Sequence, residues 1–236
     1  MILLLYCVVL WILFALVAAV LGFPALYLTG KIDLLWDLSL WAARTGYRLS
    51  GIRVRAVGRE QLDGRAYLFM SNHASNLDPP VITNLLGRRI AIIAKQELFK
   101  IPLFGRAMRA GSFVAVNRAS PRSAVESVTN AAHVLQSGLG MLVFPEGTRS
   151  PSGRLLTFKK GPFQLAMEAG VPVVPITIVG SHEAWPKGSM ALHTGEIVVH
   201  FHAPIDPRHF ASKEDLLAAV RAAIESGLPK AIQDPT

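Results

Sequence analysis

The first thirty residues carry no Asp, Glu, Lys or Arg, and from Ile2 to Leu28 the run is almost unbroken Leu, Val, Ile, Ala, Phe and Trp. About 20 such residues make a helix roughly 30 Å long, the thickness of a bilayer's hydrocarbon core. A cleaved signal peptide needs a basic start and a shorter apolar core, and this segment has neither. A soluble helix of that length needs a polar face, also missing here. The pattern therefore predicts a membrane-inserted helix, with Gly22 and Pro24 ending or bending it. A second helix is expected over 32–49, where Asp33, Asp37, Arg44 and Arg48 follow one another at spacings of 4, 7 and 4 and share one stripe. Trp36, Trp41, Leu34, Leu35 and Leu38 fall on its other faces. That distribution suits a headgroup boundary, and it suits equally a helix packed on a domain. Both a spanning first helix and one that dips into a single leaflet satisfy the pattern. A spanning one would, through Lys31, Arg44 and Arg48, put the rest of the chain on the cytoplasmic side.

After residue 50 short apolar runs alternate with helical patterns. Strands are expected at Ile52–Ala56, Tyr67–Met70, Ile90–Ala94, Ser112–Val116, Met141–Phe144, Val173–Val179 and Glu196–Phe201. Helices are expected after Pro79, Glu97, Ser120, Lys160 and Ser212. Ser120 before Pro121 is a good N-cap and first-turn pair, with Gly138 closing the helix, and Ser212 with Asp215 resembles a capping box. Strand–helix alternation predicts an α/β fold: a single mixed or largely parallel sheet flanked by helices, preceded by N-terminal membrane helices. The organisation read from this is residues 1–50 as membrane-inserted helices and 51–236 as one α/β domain, with no repeat or long linker.

Composition sharpens this picture. Of 236 residues, 51% are hydrophobic and 17% charged, which excludes a disordered, solvating chain. The single cysteine, Cys7, excludes a disulfide scaffold and any Cys-rich zinc site. The formal charge is +8, and its excess is local: residues 51–120 hold eleven Lys or Arg against four Asp or Glu, whereas 121–236 hold ten of each. Such a segment fits anionic lipid or a phosphorylated substrate, and also plain solubilising arginines. Nucleic acid fits poorly, because the apolar N-terminus and the lack of aromatic-basic motifs argue against it.

There is no GxSxG elbow, P-loop, GxGxxG or HExxH, which weakens serine hydrolase, nucleotide-binding and zinc protease readings. Four segments remain. The first is Ser71-Asn72-His73-Ala74-Ser75-Asn76-Leu77-Asp78-Pro79-Pro80, directly after an apolar strand, where ligands collect in α/β sheets. His73 and Asp78 can meet in a turning loop, and the contact would fix the ring's tautomer and stabilise its protonated form, making a general base without a serine. Asp78 before Pro79 also fits a helix N-cap, and Asn72 and Ser75 fit turn positions. The second is Phe144-Pro145-Glu146-Gly147-Thr148-Arg149-Ser150, again at a strand end. Arg149 suits bidentate phosphate binding and Gly147 lets backbone N–H groups approach it; a Pro-Glu-Gly turn with a surface ion pair also fits. The third runs from Lys95 through Leu98, Phe99, Ile101 and Phe104 to Arg118. Lys95 and Arg118 each follow a strand and add positive charge near a phosphate, and the apolar residues suit an acyl chain, the bilayer or the core. The fourth, Gly170 to Thr177, reads as a turn into a buried strand. His200 and His202 share a strand face but find no third ligand, so no metal is expected.

Together these segments resemble the glycerolipid acyltransferase family, and within it most closely the bacterial 1-acylglycerol-3-phosphate acyltransferases. NHASNLD, KQELFKIPLFG with a following Gly and Arg, FPEGTRS and VPVVPITI occur in the family's order over about residues 70–178. The resemblance implies a membrane-bound enzyme that moves a fatty acyl group from a thioester, acyl-CoA or acyl carrier protein, to a lysophospholipid hydroxyl. His73 and Asp78 would then be catalytic. Arg149, Glu146 and Gly147, helped by Arg118 and Lys95, would place the glycerol phosphate, Glu146 by ordering Arg149 or binding a hydroxyl rather than meeting the anion, with the Gly147 N–H and Lys95 as candidate oxyanion donors. Related enzymes acylate glycerol 3-phosphate or other lipid hydroxyls; FPEGTRS looks more like the lysophosphatidic acid branch. No bound cofactor is required, and the expected location is the bacterial cytoplasmic membrane. A non-catalytic membrane-anchored lipid-binding protein and a thioesterase are the other classes compatible with the residues.

Overall fold

The structure, a computed structural model, describes residues 2–116, 121–189 and 191–230, and for 2–12 and 121–125 the helical backbone alone. Its helices are α1 (Ile2–Thr29), α2 (Asp33–Leu49), α3 (Asp78–Leu86), α4 (Phe104–Ala110), α5 (Pro121–Gln136), α6 (Gly161–Ala169), α7 (Ser181–Ala184) and α8 (Lys213–Ser226). Its strands are β1 (Ile52–Val57), β2 (Leu68–Ser71), β3 (Ala91–Lys95), β4 (Val114–Val116), β5 (Met141–Val143), β6 (Val173–Val179) and β7 (Gly195–Phe201). They form one sheet in the order β1-β7-β6-β2-β5-β3-β4, parallel except between β6 and β7. The expected α/β class and the mostly parallel sheet are borne out.

Near-continuous apolar strands form here because both faces are covered. In β2, Leu68 and Met70 face a core shared with Phe163 of α6, Leu135 of α5 and Val220 of α8, while Phe69 faces the opposite core with Val81 and Ile82 of α3 and Tyr47 of α2. Phe69 and Phe163 are fully buried, each contributing about 1.5–3 kcal/mol by leaving water. Because β2, β5, β3, β4 and β6 run the same way, their carboxyl ends meet at one edge of the sheet.

Several boundaries differ from expectation for local reasons. α1 continues through Gly22 and Pro24 rather than ending there. Pro24 removes one i→i−4 bond, but α2 packs along the helix on either side, with Gly22 so close to Leu35 that any side chain would collide with it. The helix expected after Glu97 splits into a 3-10 turn, Gln96–Lys100, and α4. Ile101 precedes Pro102 and is extended, at φ −70° and ψ 122°, as that position requires. Ser120, the expected cap of α5, lies outside the described residues. Ser212 caps α8 as expected, its hydroxyl accepting the Asp215 N–H at 3.1 Å and donating to Asp215 Oδ2 at 2.6 Å.

α1 and α2 pack as a pair, and α2 also lies on α3 and β1. Among the described residues no helix is long and apolar enough to cross a membrane, so the spanning form of the expected N-terminal segment finds no support there.

Candidate active site

The chain leaves β2 at Ser71 and reaches α3 at Asp78, and the loop between is held from three sides. Asn72 is buried and its amide completes the sheet ladder: Nδ2 donates to the Ile178 carbonyl at 2.9 Å and Oδ1 accepts the Ile178 N–H at 2.8 Å. Ser75 donates to the Trp185 carbonyl at 2.9 Å and accepts the Leu77 N–H at 3.2 Å. Neither residue is only a turn former.

His73 Nδ1 lies 2.7 Å from Asp78 Oδ2. Asp78 is fully buried, and the same Oδ2 accepts the N–H groups of Ala74 and Ser75, both at 2.8 Å. Asp78 is the first residue of α3 and its side chain does not cap it; Pro79 and Pro80, which follow, lack N–H groups to cap. With Asp78 accepting three bonds, Nδ1 carries the proton and Nε2 is the basic nitrogen. The ring stacks on Phe144, centroids 4.0 Å apart and planes at 21°, and its side chain is 17% exposed. A base held on one flank and open on another is what proton transfer to a bound group needs.

The second segment fixes the first. His73 donates its backbone N–H to Glu146 Oε1 at 2.8 Å, and the Ser150 N–H donates to the His73 carbonyl at 2.7 Å. Glu146 Oε2 accepts the Leu156 N–H at 3.0 Å, and the residue is 2% exposed. Burial pushes the Glu146 carboxyl up to about 7, although the His73 and Leu156 N–H bonds pull it down. Both of its oxygens accept backbone N–H groups, and among the described residues it makes no ion pair with Arg149, so it does not order that arginine by direct contact. Gly147 sits at φ 73° and its N–H donates to the Phe144 carbonyl at 3.0 Å, closing the Pro145-Glu146 turn. That N–H is thus occupied, against the expectation that it meets a phosphate or an oxyanion.

Arg149 is half-buried with no ion pair to a described residue. Lys187, which lies outside the four chemistry-bearing segments of the sequence, donates to the Arg149 carbonyl at 2.9 Å and so brings a second cation to this loop. Lys95 is exposed at the carboxyl end of β3, two strands from β2. Arg118 lies outside the described residues. The apolar quartet divides: Leu98 and Ile101 are 37% and 48% exposed and Phe99 is half-buried, whereas Phe104 borders a cavity of about 520 Å³. That cavity lies between α1, α2, α3 and α4, lined by Phe23, Leu35, Pro79, Pro80 and Met108 among others, and its walls are almost wholly apolar. Pro79 and Pro80 adjoin Asp78, so the cavity begins one residue from the histidine's partner. His202, considered with His200, bonds instead to Thr177 at 2.8 Å.

A family model described as Acyltransferase matches residues 53–179, a stretch that includes His73, Asp78, Glu146 and Arg149. The chain belongs to the acyltransferase family. Relatives named 1-acyl-sn-glycerol-3-phosphate acyltransferase include one from Cocos nucifera, 38% identical over 149 residues, 63% of this chain and 48% of that protein. A chloroplastic one from Brassica napus is 37% identical over 179 residues, 75% and 51% of the two chains. One from Borreliella burgdorferi is 28% identical over 190 residues, 79% and 73%. The chain spans about half the length of the plant relatives it matches. Among solved structures, the 1-acyl-sn-glycerophosphate (LPA) acyltransferase PlsC from Thermotoga maritima is similar with a TM-score of 0.81 at 29% identity, covering 96% of this chain and 93% of that one. The resemblance read from the four motifs is borne out.

Proposed function

We propose that this protein transfers a fatty acyl group from an acyl thioester to the 2-hydroxyl of 1-acylglycerol 3-phosphate, giving phosphatidic acid. The observation that carries the reading is the His73–Asp78 pair, 2.7 Å apart at the carboxyl edge of the sheet; the names of the relatives point the same way. His73 Nε2 takes the proton of the glycerol hydroxyl as its oxygen attacks the thioester carbonyl. Asp78 holds the ring and stabilises the imidazolium. As the C–O bond forms and the C–S bond breaks, the imidazolium gives its proton to the departing thiolate. Atoms balance with no covalent acyl-enzyme, in keeping with the lack of a serine elbow. Arg149, with Lys187 and Lys95 nearby on the same edge, supplies charge for the acceptor's phosphate. The apolar cavity takes the acyl chain, and the α1–α2 pair seats the domain on a membrane; Lys31, Arg44 and Arg48 beside the apolar segment favour its cytoplasmic face.

The deciding measurement follows thiol release and lipid product together, with acyl-CoA and lysophosphatidic acid. Release should require the lysolipid, yield phosphatidic acid, and fall by about 10²–10⁴ in His73→Ala. Release independent of lysolipid would replace this reading with a thioesterase. Normal turnover by His73→Ala would remove the histidine from the mechanism.

A further inference from the structure

Beside the edge strand β1 lies a second cavity, of about 870 Å³, bounded by the last turns of α2 and α3 and by Thr194 and Gly195 at the start of β7. Four guanidinium groups line it, those of Arg44, Arg48, Arg53 and Arg59, and no Asp or Glu does. All four arginines are exposed, and none has an acidic partner among the described residues. Some arginines elsewhere do find one: Arg55 pairs with Glu196, Arg89 with Asp33, and Arg221 with Glu225. Four like charges brought together without a counter-ion repel one another, and an anion among them relieves that repulsion.

The inner wall of this cavity is Tyr47. It is 4% exposed, lines the cavity, and its hydroxyl has no hydrogen bond to a described residue. Burial raises its pKa against the pull of Arg44 and Arg48, so at neutral pH the phenol keeps its proton and remains a donor. A buried tyrosine hydroxyl ordinarily finds a partner. Here the cavity's other polar side chains are the four arginines and the neutral Asn84 and Thr194.

We propose that this cavity is a phosphate-binding site separate from the His73–Asp78 pair, in which the arginine forks and the Tyr47 hydroxyl donate to phosphate oxygens. None of its lining residues borders the apolar cavity or belongs to the catalytic loop. Trp41 and Leu49, 46% and 52% exposed on the same helix, set apolar surface beside the arginines. That juxtaposition favours the headgroup of an anionic phospholipid as the source of the phosphate; a soluble ligand bearing a diphosphate has the same chemistry.

The test uses the full chain, wild type against Arg44→Ala/Arg48→Ala and against Tyr47→Phe, each checked for an unchanged thermal melt. One arm measures flotation with phosphatidylcholine vesicles with or without phosphatidylglycerol; the other measures pyrophosphate binding by calorimetry. Removing two charge-assisted donors should weaken anion binding at least about tenfold, and Tyr47→Phe should weaken it several-fold with the charge unchanged. Effects confined to phosphatidylglycerol vesicles support the site with a headgroup as its ligand, and effects on pyrophosphate also support it, with a soluble phosphate admitted. Wild-type binding by the double variant in both arms overturns the site. So does a loss in the double variant that Tyr47→Phe does not share, since diffuse surface charge would account for it.

Discussion

Glu146 carries the plainest pH signature in the molecule. Burial lifts its carboxyl from 4.5 to about 7 even though two backbone N–H groups favour the charged form. A raised carboxyl binds its proton more tightly in the folded chain than in the unfolded one. Its contribution is therefore fully present below pH 4.5 and lost as pH rises through about 7, a swing of about 3 kcal/mol at most. Glu146→Gln does not titrate, so melting temperature against pH should lose this part of its slope between those limits; an unchanged slope would assign it to other groups. The amide also places an NH₂ against one backbone N–H, which lowers stability at neutral pH by about 1–3 kcal/mol. His73 and Asp78 were legible as a pair because five residues in a turn let two side chains meet. Glu146 was legible as chemistry but not as a clamp, since its partners His73 and Leu156 lie 73 and 10 residues away.

At the scale of elements, period and punctuation decide most of the fold. All seven expected strands are present within a residue or two, because apolar runs bounded by Gly, Pro and polar residues have few alternatives. Failures fall where one element leans on another. Pro24 reads as a breaker in isolation, yet it sits inside a helix supported by α2. Phe104 reads with Leu98 and Ile101 as one apolar run, but the break at Pro102 turns it toward the cavity. Ala107 of α4 borders the same space, and its small side chain leaves room there. Ala107→Phe should fill part of it and move the preference among acyl-CoA donors toward shorter chains, at about 0.8 kcal/mol for each methylene displaced. Competition between thioesters of graded length checks this; an unaltered profile would place the acyl chain elsewhere.

At the scale of the whole molecule, α1 shows an apolar outer face: Leu16, Val20 and Leu28 are 58%, 60% and 81% exposed. α4 packs behind it, with Ala107 and Ala110 on the cluster of Leu26, Ile32 and Leu35, and Arg106 stands 4.8 Å from the Tyr27 ring centroid. The exposed Ile101 and Leu103 leave the same part of the molecule. Contiguous apolar surface of this kind marks a membrane or partner interface. Replacing Leu16, Val20 and Leu28 together by Ser should reduce flotation with phosphatidylcholine vesicles while the thermal melt stays near wild type, because these side chains are already in water. Retained flotation would move the membrane contact away from α1.

The amino-acid order alone determined the α/β class, the strand positions, the apolar first helix with an amphipathic second one, and the segments that carry chemistry. Each rests on local physics: period, turn residues and the company a charge keeps along the chain. The tertiary structure decided what those residues face. It turned Glu146 inward onto the His73 backbone, closed the Gly147 N–H into a turn, made Asn72 a rung of β6, and gathered Arg44, Arg48, Arg53 and Arg59 around Tyr47. Hydrogen-bond partners and burial are set between segments distant along the chain, and a side chain's role follows from them.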